Sequence, residues 1–208
     1  MSRPYAYGVV DVDETIERPI EGVGDGDRVY PIANGTIAAL VSDIETADPD
    51  RSDENVRRHD EVLREVMTAD GGRTVVPMRY GMVFRDEETV RNVLRGANAA
   101  FERALQDVDG AVELGVSIVT PETGPLDEKA VRETVEGELD PLARDVEENR
   151  LFSDRLVLNR SYLVDRNERD AFDEAVGRLE ARHENAIVRY TGPYAPYSFV
   201  DVKIGATE

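Results

Sequence analysis

The chain has no cysteine and no tryptophan, and it carries only two lysines (Lys129 and Lys203) and two histidines (His59 and His183). Without cysteine there can be no disulfide, no thiolate metal site and no cysteine nucleophile. No apolar run approaches the roughly 20 residues that a bilayer-spanning helix needs. Met-Ser-Arg-Pro-Tyr leads directly into a strand pattern, with no apolar signal-peptide core. These absences predict a soluble cytoplasmic protein with no membrane partner.

What the chain does have is acid. Asp and Glu number 44 against 25 Lys and Arg, a formal net charge of −19 over 208 residues. Such a surface cannot release phosphate counterions at scale, which excludes nucleic acid as a partner. Every base other than the two lysines and two histidines is arginine. Acid excess with almost no lysine suits a protein dissolved in concentrated salt, where carboxylates hold water and lysine stems would expose needless apolar surface. High salt also screens the self-repulsion to within a few ångströms. A halophilic source is therefore expected. Hydrophobic residues make up 40% of the chain, and they recur periodically, so a folded protein is expected rather than a disordered one. The length allows one large domain or two small ones.

Tyr5–Asp11 reads as a strand, followed by acidic, glycine-rich loop chemistry through Asp27. Arg28–Ile32 and Thr36–Ser42 read as two more strands, with Asn34-Gly35 as the hairpin turn between them. Helical spacing runs from Asp53 to about Ala69. Arg73–Phe84 is strand-like, but Pro77 and Gly81 imply an edge or a bulge. Asp86–Val108 is the clearest helix, with Asp86, Glu87 and Glu88 at the positive end of its dipole. Asp109-Gly110 marks a boundary. Beyond it come strand Ala111–Thr120, a helix from Leu126 to about Asn149 with a restart or kink at Asp140-Pro141, strand Arg155–Val164, helix Glu168–His183 and strand Ala186–Thr191. The class is α+β, and the second half fits a split-βαβ sheet with helices on one face. The expected divisions are residues 1–110, residues 111–193, and a tail at 194–208 that packs back on the fold.

Few residues offer chemistry. Asp11-Val12-Asp13-Glu14-Thr15 after an apolar strand has the D-x-D-x-T form that opens haloacid-dehalogenase-type phosphatases, in which the first aspartate attacks phosphorus and magnesium offsets the charge. A phosphate-balancing lysine and a later acid pair should accompany it. Lys203 lies near the end of the chain and Lys129 in an acidic helical stretch, and the strand–helix repetition of a doubly wound sheet is missing. Asp11 and Asp13 thus stand as a weak enzymatic alternative. A calcium loop starting at Asp11 fails at Ile16 and Gly22. The glycines around Gly24 precede no helix that could present a phosphate. His59 lies near an apolar helical stripe and His183 ends a helix, positions of satisfied core or cap residues rather than ligands. No cofactor or metal is expected. A ferredoxin-like module that senses a small molecule is a further alternative.

The segment Tyr190-Thr191-Gly192-Pro193-Tyr194-Ala195-Pro196-Tyr197-Ser198-Phe199-Val200 concentrates aromatic side chains on a chain stiffened by two prolines. It can serve as a recognition surface, or it can pack back onto its own fold. Together with Tyr5-Ala6-Tyr7-Gly8-Val9-Val10, His59 with Glu61-Val62-Leu63, Val75-Val76-Pro77-Met78-Arg79-Tyr80-Gly81-Met82-Val83-Phe84 and Ser161-Tyr162-Leu163-Val164, it resembles the gas vesicle GvpF/GvpL family along essentially the whole chain. Tyr80 and Tyr194 stand where that family would have phenylalanine and tryptophan. The length suits the shorter, F-type members. The resemblance implies two α+β domains, the second ferredoxin-like, and an accessory or minor structural role in the gas vesicle. It further implies binding of the small hydrophobic shell protein and of other accessory proteins during nucleation and assembly. It brings no catalytic residues. The expected docking surface is the Arg73–Phe84 edge with the aromatic segment: Val75, Tyr80, Val83, Phe84, Tyr190, Tyr194, Tyr197 and Phe199.

Overall fold

Strand β1 (Arg3–Asp11) is buried along all but its ends, as befits the near-continuous apolar run Tyr5–Val10. The computed structural model describes residues 2–14, 19–24, 26, 28–121 and 126–202. By internal contacts the chain separates into two units. One takes the residues up to Gly110 together with those from Tyr194 onward, and the other takes Ala111–Pro193.

In the first unit β1 is flanked on one side by β3 (Ile37–Ile44), which pairs in turn with β2 (Tyr30–Asn34); on its other side runs β4 (Val76–Pro77). The order is β2-β3-β1-β4, and every pairing is antiparallel. Asn34 and Ile37 close the β2–β3 hairpin as a paired position. The turn therefore falls on Gly35-Thr36, one residue later than the Asn34-Gly35 expectation. Gly35 supplies the positive φ of 65°. Helix α1 (Asp53–Thr68) starts at Ser52, whose hydroxyl accepts from the Asn55 N–H, and buries His59, Val62, Leu63, Val66 and Met67. Helix α2 (Glu87–Asp107) starts at Asp86, whose carboxylate accepts from the Thr89 N–H and hydroxyl. Those bonds, with Arg85 beside it, hold the Asp86 carboxyl down at about 2.

The strand-like stretch Arg73–Phe84 is interrupted around Pro77 and Gly81, as the sequence suggests. Only Val76–Pro77 forms a ladder with β1. The chain then turns at Tyr80-Gly81, with Gly81 at φ 90°, and touches β1 again through the isolated pairing of Tyr5 with Val83. Pro77 has no N–H to give and Gly81 accepts the reversed backbone, so the segment follows the sheet edge in two short pieces.

The second unit runs β5 (Ala111–Val119), α3 (Glu128–Glu138), β6 (Asp145–Glu148), β7 (Leu156–Asp165), α4 (Arg169–Arg182) and β8 (Ile187–Tyr194), with sheet order β6-β7-β5-β8. β7 lies between β5 and β6, which makes this a ferredoxin-like split βαβ sheet. The helix expected to run to about Asn149 stops at Glu138. A single 3₁₀ turn at Asp140–Leu142 follows, and the chain then extends as β6. Pro141 ends the helix, and Val146, in phase with the helical stripe, instead pairs with Tyr162 across the ladder. Both helices meet the same face of β7. Phe172 of α4 packs on Tyr162 with ring centroids 5.1 Å apart, while Arg160, two residues earlier, reaches Glu136 of α3 at 3.1 Å, Asp140 at 3.3 Å and Glu148 of β6 at 2.8 Å.

Between β1, α1 and the Tyr80-Gly81 turn lies a relay of polar groups. The Gly81 N–H donates to the Tyr5 hydroxyl at 3.3 Å, and that hydroxyl is 2.7 Å from His59 Nδ1. His59 Nε2 is 3.0 Å from the Met78 carbonyl. A carbonyl only accepts, so Nε2 carries the proton and Nδ1 accepts from Tyr5. His59 is 1% exposed, and the rings of Tyr5, Tyr7 and Tyr80 lie within 6 Å of it. The neighbouring Tyr7 hydroxyl pairs with Ser42 Oγ at 2.7 Å and accepts from the Val23 N–H. That contact fixes the glycine-rich loop: a side-chain carbon on Gly22 would fall 2.6 Å from Ser42 Oγ. The glycines there permit close packing.

Burial holds the His59 pKa down to about 4 from its ordinary 6.5. The folded value lies below the unfolded one, so protonation favours the unfolded chain. Stability is complete above about pH 6.5 and falls as the pH drops through 4, by roughly 3 kcal/mol in full. Thermal midpoints measured across this range for the wild type and for His59→Gln should show a shallower slope in the variant. Gly8 yields a second expectation. A Cβ there would lie 2.8 Å from the Val76 carbonyl oxygen and 2.9 Å from Val75 Cγ2, so Gly8→Ala should cost about 1–3 kcal/mol in denaturant unfolding.

Candidate protein-binding site

The aromatic segment Tyr190–Val200 divides between the two units. Tyr190 belongs to the second unit, where its hydroxyl donates to Asp173 and its ring lies 6.1 Å from Phe172. From Tyr194 onward the residues belong to the first unit, and they are pinned to α1. The Tyr194 ring lies 5.8 Å beneath the Arg64 guanidinium, and the Tyr197 hydroxyl donates to Asp60 at 3.2 Å. Burial raises the Asp60 pKa, and the Tyr197 bond opposes that shift. Ala195 is buried, and Tyr197–Phe199 form a 3₁₀ turn. Tyr194, Tyr197 and Phe199 each remain half-exposed.

Of the expected docking residues on the sheet edge, Val75 and Phe84 are buried in the core of the first unit, whereas Tyr80 and Val83 are half-exposed. Tyr80 also donates to the Asp50 carbonyl at 2.6 Å. The edge and the returning segment do meet. Between them lies a groove of about 350 Å³ whose walls include Val76, Pro77, Met78 and Met82 on one side and Tyr197 and Val200 on the other, with Phe101 of α2 also lining it. Its chemistry is mixed: Arg79 and Asp201 share the lining with the apolar side chains, and two flexible methionines allow it to adapt to different side chains. Met78 and Met82 are the contributors that strand-by-strand reading did not single out. The only sequence signal for them was the clustering of methionine around a proline and a glycine.

The aspartates of the D-x-D-x-T stretch sit elsewhere. Asp11 Oδ1 accepts from the Asp13 N–H at 2.9 Å, closing a turn at the end of β1. Both line an open cleft of about 590 Å³ whose other polar walls include Thr36, Thr74, Glu102 and Asp109. Thr36 donates to Glu102 at 2.5 Å and Thr74 to Asp109 at 2.8 Å. Among the described residues no three acidic or histidine side chains converge to hold a metal. Lys129 pairs with Glu133 on α3, and Lys203 and Thr15 lie outside the described residues. His183 bonds to Thr134 Oγ1 at 3.1 Å and so ties α4 to α3. No described helix is long and apolar enough to cross a membrane.

Residues 4–133 and 125–201 match the family described as gas vesicle synthesis protein GvpL/GvpF. The chain is 48% identical to gas vesicle protein F of Haloferax mediterranei over 205 residues, covering 98% of this chain and 96% of that one. It is 45% identical to gas vesicle protein F1 of Halobacterium salinarum, covering 98% and 95%. The halophilic origin of both fits the acid-rich, lysine-poor composition. Among solved structures, GvpF from Anabaena superposes with a TM-score of 0.85 at 22% identity, covering 98% of each chain. GvpF from Microcystis aeruginosa superposes with a TM-score of 0.85 at 18% identity, covering 96% of this chain and 99% of that one. Those two likenesses concern the fold. The full-length matches and the family match together place this chain in the gas vesicle synthesis protein GvpL/GvpF family.

Proposed function

We propose that the chain acts in gas vesicle assembly by holding the small hydrophobic shell protein, and other accessory proteins, before the wall closes. It would do so in the cytoplasm and at the growing vesicle. Family membership supports a gas vesicle accessory role, and one observation supports the binding mode: a groove in which Val76, Met78, Met82 and Val200 lie beside Arg79 and Asp201, on a chain with net charge −19. A shell subunit must bury an apolar face in the wall and is prone to aggregate until it does. A strongly acidic carrier stays soluble and does not associate with itself. A narrow groove masks one apolar side chain or short strand at a time, and the β4 edge beside it provides backbone groups for pairing.

Tyr80, Val83, Tyr194, Tyr197 and Phe199 frame the groove or its approach in this reading. Val75 and Phe84 support it from the core, and Tyr190 serves packing in the other unit. Met82→Asp and Val200→Asp each place a charge in the groove while leaving the core of the first unit untouched. In a high-salt pull-down with the purified shell protein, either variant should lose most of the capture shown by the wild type, with thermal midpoints within a few degrees of it. Undiminished capture by both folded variants would overturn the assignment of the groove.

A further inference from the structure

A second cavity, on the exposed side of α1, has a different chemistry. It encloses about 710 Å³ and is lined by Arg51, Arg57, Arg64, Asp60, Glu61 and Tyr194, with Asp53 and Val56 completing the wall. Its acids are already engaged. Asp60 accepts from Tyr197, Glu61 is paired with Arg58 at 3.2 Å, and Asp53 sits in the first turn of α1, where the helix dipole favours a carboxylate. Its arginines are held less firmly. Among the described residues, Arg51, Arg57 and Arg64 make no side-chain hydrogen bond or contact ion pair; Arg64 lies over the Tyr194 ring and near enough to Asp60 to favour its charged form.

That is unexpected in this chain. With 44 acids for 25 bases, an arginine has a surplus of carboxylates to choose from, and Arg58 on the same helix takes both Glu61 and Glu65. Three guanidinium groups around one cavity, none held by a hydrogen bond or contact ion pair to the acids beside them, keep their donors free for carboxylates supplied from outside. Arginine stays charged at any accessible pH, and its fork fits a carboxylate with two parallel hydrogen bonds. Such bonds act at contact distance, inside the few-ångström screening length of concentrated salt, whereas long-range attraction would be lost. The Tyr194 ring adds a flat apolar wall. Asp53, Asp60 and Glu61 share that wall and repel the dense charge of a polyphosphate or nucleic acid. Carboxylates spaced along a peptide can sit at the arginines and avoid the acids.

We propose that this cavity docks a carboxylate-rich segment of a partner protein, with Arg51, Arg57 and Arg64 gripping the carboxylates against Tyr194. The site is independent of the groove beside β4, so loss of shell-protein capture at that groove leaves it unaffected. The test is fluorescence anisotropy of a labelled hexaglutamate peptide titrated with the full chain in concentrated KCl. Saturable binding is expected, about tenfold weaker in R51Q/R57Q/R64Q, with Arg64→Lys intermediate and with a hexaglutamine peptide not bound. Arg91→Gln, which removes an exposed arginine of α2 already paired with Glu87, should leave binding unchanged. Equal affinity in the wild type and the triple variant, or no hexaglutamate binding to the wild type, would overturn the proposal. So would tighter binding of inorganic phosphate or of a short DNA strand, by giving the site to a phosphate ligand. The three side chains lie on the surface, and circular dichroism of the triple variant should match the wild type.

Discussion

One neutral histidine holds the first unit together. His59 must be uncharged for Nδ1 to accept from Tyr5 while Nε2–H donates to Met78, and burial keeps it so. Through these two bonds a helix, the central strand and the turn after Pro77 are tied at one point. The segment after Pro77 is also tied to β1 by backbone bonds between Met78 and Tyr7, Ala6 and Met82, and Phe84 and Pro4, and the relay adds a side-chain tie to the helix.

The second unit solves a different problem with a different residue. Arg160 is nearly enclosed, and it gathers carboxylates from α3, from the turn that ends α3 and from β6. Three carboxylates brought that close would repel one another, and one planar cation with five donors can satisfy all of them. Arginine thus has two roles in an acidic, lysine-poor chain. Enclosed, it lets neighbouring acids pack together. On the outside of α1, it stands among acids without a contact ion pair and keeps its donors exposed.

Most of the architecture was legible from pattern alone, because the long elements are strongly periodic: α2 with its Asp86 cap and the apolar β1. The helix expected to reach Asn149 is different. Val146 continues a helical spacing across Pro141, but that local periodicity competes with pairing to the distant strand β7, and the distant partner wins. The site was less legible for a related reason. Val75 and Val83 are the same residue type on the same segment, yet one is buried in the core and the other half-exposed. Only the path of the chain separates them. The paired state of an arginine is likewise invisible until its neighbours in space are known.

The returning segment also sets an order of events. One wall of the groove comes from residues before Gly110 and the other from residues after Tyr194. A ribosome must therefore complete the whole second unit before the groove can close. During synthesis the first unit has its sheet and both helices while the groove still lacks its second wall, which arrives only after some eighty further residues have left the ribosome.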